Sequence, residues 1–541
     1  MSLTEMVRRY GVVVLAGALC ASAAGCATDA DLTAGDGEVD PDEIIGANAV
    51  GRWATVQSFV YVRTGASDAE VQRAVVRQLR PLFGALKAND IGLGNRLDTS
   101  DATRFVDAST FERSTVDVID PAHPGERVGT MDRVRFTYRD RATVNKRLQY
   151  RRAFETTALF GDYERNGDAV VQRCQSEHQD WGTSGLWYNF EPHLSSCQSL
   201  IRDEVTRVEA DRRALTNADQ QVTQSETARM FLPITVRLSS IARTETRYPD
   251  YHRLVDDGRL VIASYFGVDN LDDPRDYGAR NYFTFLRTVM AARPELRISS
   301  VSPSADLTTV EWRGATITDV TPDRVAGWVV DGSNFPSSVS YSDRDAFRRQ
   351  VLAQWRDKTV TLSASGTLTT NGAARPIELE LRAFYGNEEG FGTGATERYR
   401  RAFHEVDVFQ YTGHSHLGSG PLDARNYSPA DFPDRYQVLM VNSCVSFNYY
   451  NTFFTMHPGG TLNLDTVTNG LPVYLEGSGL SSARFVNAFI DGRFRSYNDI
   501  LASMRVDLPW ERGHDANRVA DGETDNTFTP SRYRMSLALT R

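Results

Sequence analysis

Two different rhythms of apolar and polar positions run along this chain. In the first half the rhythm is mixed. Residues 56–62 read as a strand, and Ser67-Asp68-Ala69-Glu70 forms a capping box. Val71, Val75, Leu79, Leu82 and Leu86 then repeat at helical spacing. Val134, Phe136 and Tyr138 alternate with Arg133, Arg135 and Thr137, the pattern of a half-buried strand. Residues 204–229 are polar throughout, as an exposed helix or a linker would be, and place a boundary there. Beyond it the pattern changes to short, mostly uncharged apolar runs at 259–264, 406–411, 436–441 and 472–475. Helical stretches at 281–292, 396–404 and 485–504 alternate with them. Asn371-Gly372 marks a hairpin, the strongest short turn signal. Such alternation predicts an α/β fold whose mainly parallel sheet is covered on both faces by helices, preceded by a mixed α+β region.

The chain ahead of these elements has another character. Arg8 and Arg9 precede an uncharged stretch at 11–24 that is rich in small and apolar residues. That is the length of a signal h-region and falls short of the roughly 20 apolar residues a membrane-spanning helix needs. Ala23-Ala24-Gly25-Cys26 follows and resembles the lipobox of bacterial lipoproteins, with Ala23 where that family usually has Leu. The resemblance implies a signal at 1–26, acyl chains on Cys26 and an extracytoplasmic, lipid-anchored protein. Ala27, rather than Asp, after the Cys points to the outer membrane of a two-membrane cell. Residues 27–51 carry seven acids (Asp29, Asp31, Asp36, Glu38, Asp40, Asp42, Glu43) and no base. They read as a flexible spacer, leaving an α+β region at 52–225 and an α/β domain at 230–541.

Export changes the reading of the cysteines. Of five, Cys20 lies in the signal and Cys26 takes the lipid. Cys174 and Cys197 frame a loop that holds Trp181, Trp187 and Tyr188, and are expected to pair in an oxidising compartment. Cys444 is left over, either a buried inert thiol or a reactive one. A net charge of −10 argues against a nucleic-acid partner.

Two of the apolar runs end on chemistry. One continues into Gly413-His414-Ser415-His416, and the other into Asn442-Ser443-Cys444. On neighbouring parallel strands, both groups would reach one rim of the sheet. A thiol nucleophile needs a nearby base to lower its pKa and to protonate the leaving amine. The caspase-like (clan CD) cysteine peptidases, including the gingipain, legumain and caspase families, share an apolar block, His-Gly, a spacer, a second apolar block and a small residue before Cys, and this order of blocks resembles theirs. The resemblance implies His414 as general acid/base and Cys444 as nucleophile. It also implies the backbone N–H groups of Ser415 and Cys444 as oxyanion donors, a peptide or protein substrate, and no cofactor or metal. Ser443 takes the small position, and Ser415 stands where the family has Gly. Glu476, in the loop after the next run, is a candidate for a substrate pocket that takes a basic side chain.

Two other functions fit parts of the pattern. His414-Ser415-His416 is a common metal-ligand spacing, but the Gly-Asp-X-X-Asp and the Asn-His pair that the two-metal phosphoesterases also need occur nowhere in the chain. A caspase-like fold can also act as a binding module, with Cys444 a small buried hydrophobe. Asp269, Asp272, Asp273 and Asp276 offer carboxylate oxygens to calcium, at a spacing that matches no standard loop.

Overall fold

The computed structural model describes residues 44–94, 106, 108–177, 179–241, 245–387, 395–415, 420–423, 426–447 and 453–540. Cys20, Cys26, the signal, most of the acidic spacer, His178 and His416 lie outside the described residues. Among the described residues no helix is long and apolar enough to cross a membrane.

The protein is a mixed α/β molecule built on two large sheets. The first sheet runs in the order 153–159, 231–238, 49–63, 127–145, 112–119 and 221–223, with 91–93 also paired to 127–145. Its pairings are antiparallel except the last, Glu112–Ile119 with Gln221–Thr223. The Ser67 capping box starts the helix Asp68–Leu79, with Ser67 N–H donating to Glu70 at 2.8 Å. That helix buries Val71, Val75 and Leu79 against the sheet, as their spacing predicts. Cys174 and Cys197 are disulfide-bonded and join two helices of this region.

The second sheet holds the five parallel strands Arg259–Gly267, Ala373–Gly386, Val408–Thr412, Gln437–Asn442 and Leu464–Asn469. All pair in parallel, in the spatial order 373–386, 259–267, 408–412, 437–442, 464–469. Antiparallel strands flank them, Arg518–Asp521 on one side and Lys358–Thr370 on the other. Four of the five are buried along nearly their whole length, because helices such as Tyr277–Ala292, Ser478–Ile490 and Ala395–Glu405 cover the sheet. The hairpin falls at Asn371 and Gly372, both at positive φ (50° and 85°), as a type I′ turn demands.

Three sequence expectations need correction. The spacer ends earlier than 51: Ile45–Gly46 pairs with Arg518–Asp521, and Ala49 opens the long strand 49–63. Ile44, Ile45, Ala49 and Val50 are buried, which the adjoining acids concealed. The boundary at 225–230 moves beyond 238, because Phe231–Leu238 pairs with strands 49–63 and 153–159 of the first sheet. The polar stretch before it begins inside the helix Ser195–Asp211. The last parallel strand is Leu464–Asn469, and the apolar run at 472–475 is a loop.

That strand was hidden by its polar residues. Asp465 is fully buried, and its Oδ2 accepts from Tyr436 Oη, Tyr497 Oη and Asn526 Nδ2, each at 2.5 Å. Burial nevertheless pushes the Asp465 carboxyl up to about 7. From about pH 4 to about 7 the folded chain keeps a proton that the unfolded chain releases, so this group lowers stability as pH rises through that window. The full effect is on the order of 4 kcal/mol. Asp465→Asn removes it. Urea unfolding at pH 5 and pH 8 should show the wild type losing more stability between the two than the variant, and equal losses would refute the assignment.

The two sheets meet closely. A Cβ on Gly92 would come within 2.1 Å of the Gly470 carbonyl oxygen, and one on Gly470 within 1.8 Å of Thr143 Oγ1. Asn145 Nδ2 to Asn517 Oδ1 (3.1 Å) and Arg141 to Asp521 (3.1 Å) bind the same faces.

Candidate functional site

The carboxyl ends of the parallel strands form one rim. Arg259–Gly267 is first in the chain, with the second strand on one side and the third on the other. The crevice between the first and third strands is therefore the topological switch point, where open α/β sheets bind ligands.

At the first strand's end the chain closes into a loop around Asp276. Its Oδ1 accepts from the N–H of Asp269 (2.7 Å) and Asn270 (2.6 Å). Its Oδ2 accepts from the N–H of Ala279 (2.7 Å) and from Tyr385 Oη (3.1 Å), which caps the helix Tyr277–Ala292. Burial still pushes the Asp276 carboxyl above the ordinary range. The loop so fixed presents Asp269 to the third strand, and Asp269 Oδ1 lies 2.5 Å from His414 Nε2. A carboxylate oxygen accepts, so Nε2–H donates to Asp269 and leaves Nδ1 as the ring's other nitrogen. Tyr411 Oη donates to the His414 carbonyl at 2.8 Å, which holds the backbone just past the strand. Ser415, next in the chain, is buried.

The fourth strand delivers Cys444. Val408–Thr412 and Gln437–Asn442 are parallel neighbours with Thr412 opposite Asn442. His414 and Cys444 each lie two residues beyond that register pair, past the carboxyl ends of the two strands. The turn that bears Cys444 rests on buried polar groups. Arg518 donates to Asn442 Oδ1 (2.9 Å) and Asn469 Oδ1 (3.0 Å), and Asn469 Nδ2 donates to the Ser443 carbonyl (3.1 Å). Val445, directly after the Cys, takes φ +46°, an outlier for a β-branched residue. Its buried side chain belongs to the core of the first sheet, which secures the strained turn.

That packing brings the N-terminal region to the thiol. Lys87 Nζ sits 3.7 Å from the centroid of the Tyr188 ring, and the charges of Cys444 and Glu177 act on both residues. Burial pushes Lys87 down to about 8. Cys444 keeps part of its surface, but the density of protein around it pushes the thiol up, against a downward pull from Lys87. The thiol donates to the Val473 carbonyl at 3.7 Å. Among the described residues no hydrogen bond joins Cys444 to His414. Glu476, on the same loop as Val473, accepts from Tyr277 Oη at 2.7 Å. Tyr474 and Trp510 form an exposed aromatic pair, with ring centroids 5.7 Å apart, beside this loop.

Thus His414, Ser415 and Cys444 share one rim, and Glu476 follows the neighbouring strand. Sequence reasoning offered Asp269 only to calcium and missed its partnership with His414. The available signal was its position just past the apolar run at 259–264. Lys87 and Tyr188 carried no such signal, since only the docking of the two sheets brings them to Cys444. No protein-family model, no curated protein and no solved structure matches the chain.

Proposed function

We propose that the protein is an extracytoplasmic cysteine peptidase of caspase-like architecture, lipid-anchored through Cys26. The observation that carries this reading is that His414 and Cys444 each follow the carboxyl end of adjacent parallel strands by two residues, with the His414 ring held by Asp269. In the proposed reaction the Cys444 thiol passes its proton to His414 while the sulfur attacks the scissile carbonyl carbon and forms a thioester. The amide C–N bond breaks, and the leaving amine takes its proton from His414. The N–H groups of Ser415 and Cys444 are the proposed oxyanion donors. Water, deprotonated by His414, then releases the acid and restores the thiol. The His-to-Cys hydrogen bond forms with substrate bound, since catalytic hydrogen bonds tighten in the Michaelis complex.

The test is labelling by a thiol-reactive peptide electrophile in the wild type, Cys444→Ala and His414→Ala. The wild type should label rapidly, His414→Ala at least tenfold more slowly, and Cys444→Ala not at all. Equal labelling of all three sinks the reading. A non-catalytic binding module is the second reading, favoured by the raised thiol and its bond to Val473. It predicts slow labelling of the wild type that His414→Ala leaves unchanged. The anchor has its own check: radiolabelled palmitate should enter the wild type in cells, and Cys26→Ser should take up none.

A further inference from the structure

A cleft of about 430 Å³ lies outside the His414–Cys444 rim, between the start of helix Tyr277–Ala292 and the segment 329–348. Four guanidinium groups line it, from Arg275, Arg280, Arg344 and Arg348, against two carboxylates, Asp331 and Asp345. This is a local reversal of sign in a chain of net charge −10.

Both carboxylates are engaged. Asp331 accepts from Arg287 at 2.6 Å. Asp345 accepts from the buried Arg348 at 2.5 Å and lies 3.7 Å from the exposed Arg275. Arg280 and Arg344 have no carboxylate partner among the described residues. They are held instead over aromatic faces, Arg280 on Tyr277 at 5.2 Å and Arg344 between Phe335 (4.7 Å) and Tyr341 (4.9 Å). Arg344 Nε is buried without a hydrogen-bond partner. Tyr341, 83% exposed, stands at the rim.

We propose that this cleft binds an acidic segment of a polypeptide, with Arg280 and Arg344 as its principal carboxylate contacts. Guanidinium forks pre-positioned on aromatic rings match carboxylates bidentately at little further entropic cost. The two resident carboxylates interrupt the positive field. A dense phosphate polymer would meet repulsion at those points, whereas a polypeptide can space its carboxylates around them and offer N–H groups between. The long 3.7 Å pairing of Arg275, on the surface, contributes little and can be exchanged for a ligand carboxylate. Arg275 stands on the loop that carries Asp269, whose N–H is bound by the adjacent Asp276. An acidic segment in the cleft therefore lies within a few residues of a chain crossing the rim.

This inference does not depend on cysteine chemistry, so it is tested in the full protein carrying Cys444→Ala. A fluorescein-labelled peptide of alternating Glu and Gly is titrated by anisotropy at low salt, beside its Lys–Gly counterpart. Saturable binding of the Glu peptide is expected, weakened about tenfold by Arg280→Gln and by Arg344→Gln, with none for the Lys peptide. Both substitutions leave the buried Arg348 intact, and circular dichroism confirms their folding. Equal Glu-peptide affinity in parent and variants overturns the proposal, as does equal binding of the two peptides. Displacement by inorganic phosphate at concentrations no higher than the peptide's own Kd also overturns it, since that describes a small-anion site. Loss of peptidase activity with acidic-peptide binding intact would leave this cleft standing and count only against the peptidase reading.

Discussion

Asp269→Asn is expected to lower the turnover of a cleavable peptide on the order of 10³-fold, with the fold intact. The carboxylate lies 2.5 Å from His414 Nε2, where it fixes the tautomer and balances the imidazolium that forms when the thiol proton is taken up. An amide of the same shape has no charge to give and can turn its NH₂ toward the ring, which selects the wrong tautomer. In a Ser-His-Asp triad the same change costs about 10⁴-fold. A thiol starts closer to its ionised form than a hydroxyl does, so the loss here should be smaller. The check is kcat/KM for one peptide in the wild type, Asp269→Asn and Cys444→Ala. Thermal unfolding should stay unchanged in Asp269→Asn, because Asp276, and not Asp269, organises the loop. Activity of Asp269→Asn within threefold of the wild type would remove Asp269 from the site and leave an unassisted dyad.

The largest stability loss is expected from Arg518→Met. Arg518 is 3% exposed, and burial pushes its guanidinium down to about 10 although Asp515 favours the charge. It donates to both asparagines that end the fourth and fifth parallel strands. Methionine fills most of the volume but leaves Asn442 Oδ1 and Asn469 Oδ1 short of a donor and Asp515 without its buried cation. Removing one member of such a set costs about 3–5 kcal/mol. The urea midpoint should fall accordingly, and a drop of under 1 kcal/mol would contradict the role given to this network. The same variant should label faster at Cys444 with a small thiol reagent, because the Ser443 carbonyl is tied down by Asn469.

Several features of this fold and site were legible as local pattern. The strand Val408–Thr412 and the strand Gln437–Asn442 stand out because a strand buried on both faces must be apolar throughout. Their ends place His414 and Cys444 without any knowledge of the rest of the molecule. The Ser67 capping box and the Asn371-Gly372 turn are equally local, each decided by a few adjacent residues. The strand Leu464–Asn469 escaped the same reasoning, since Asp465 reads as a surface residue until Tyr436, Tyr497 and Asn526 supply its hydrogen bonds.

What the sequence by itself determined was therefore the locally patterned elements and the two strand ends that bear His414 and Cys444, since periodicity and turn chemistry act over a few residues. Only the tertiary structure decided which groups surround them. Asp269 reaches His414 across a loop that Asp276 closes, over 145 positions in sequence. Lys87 and Tyr188 reach Cys444 because glycines at 92 and 470 let two sheets touch. Contacts of that range depend on how whole faces pack, and no short window of residues carries that information.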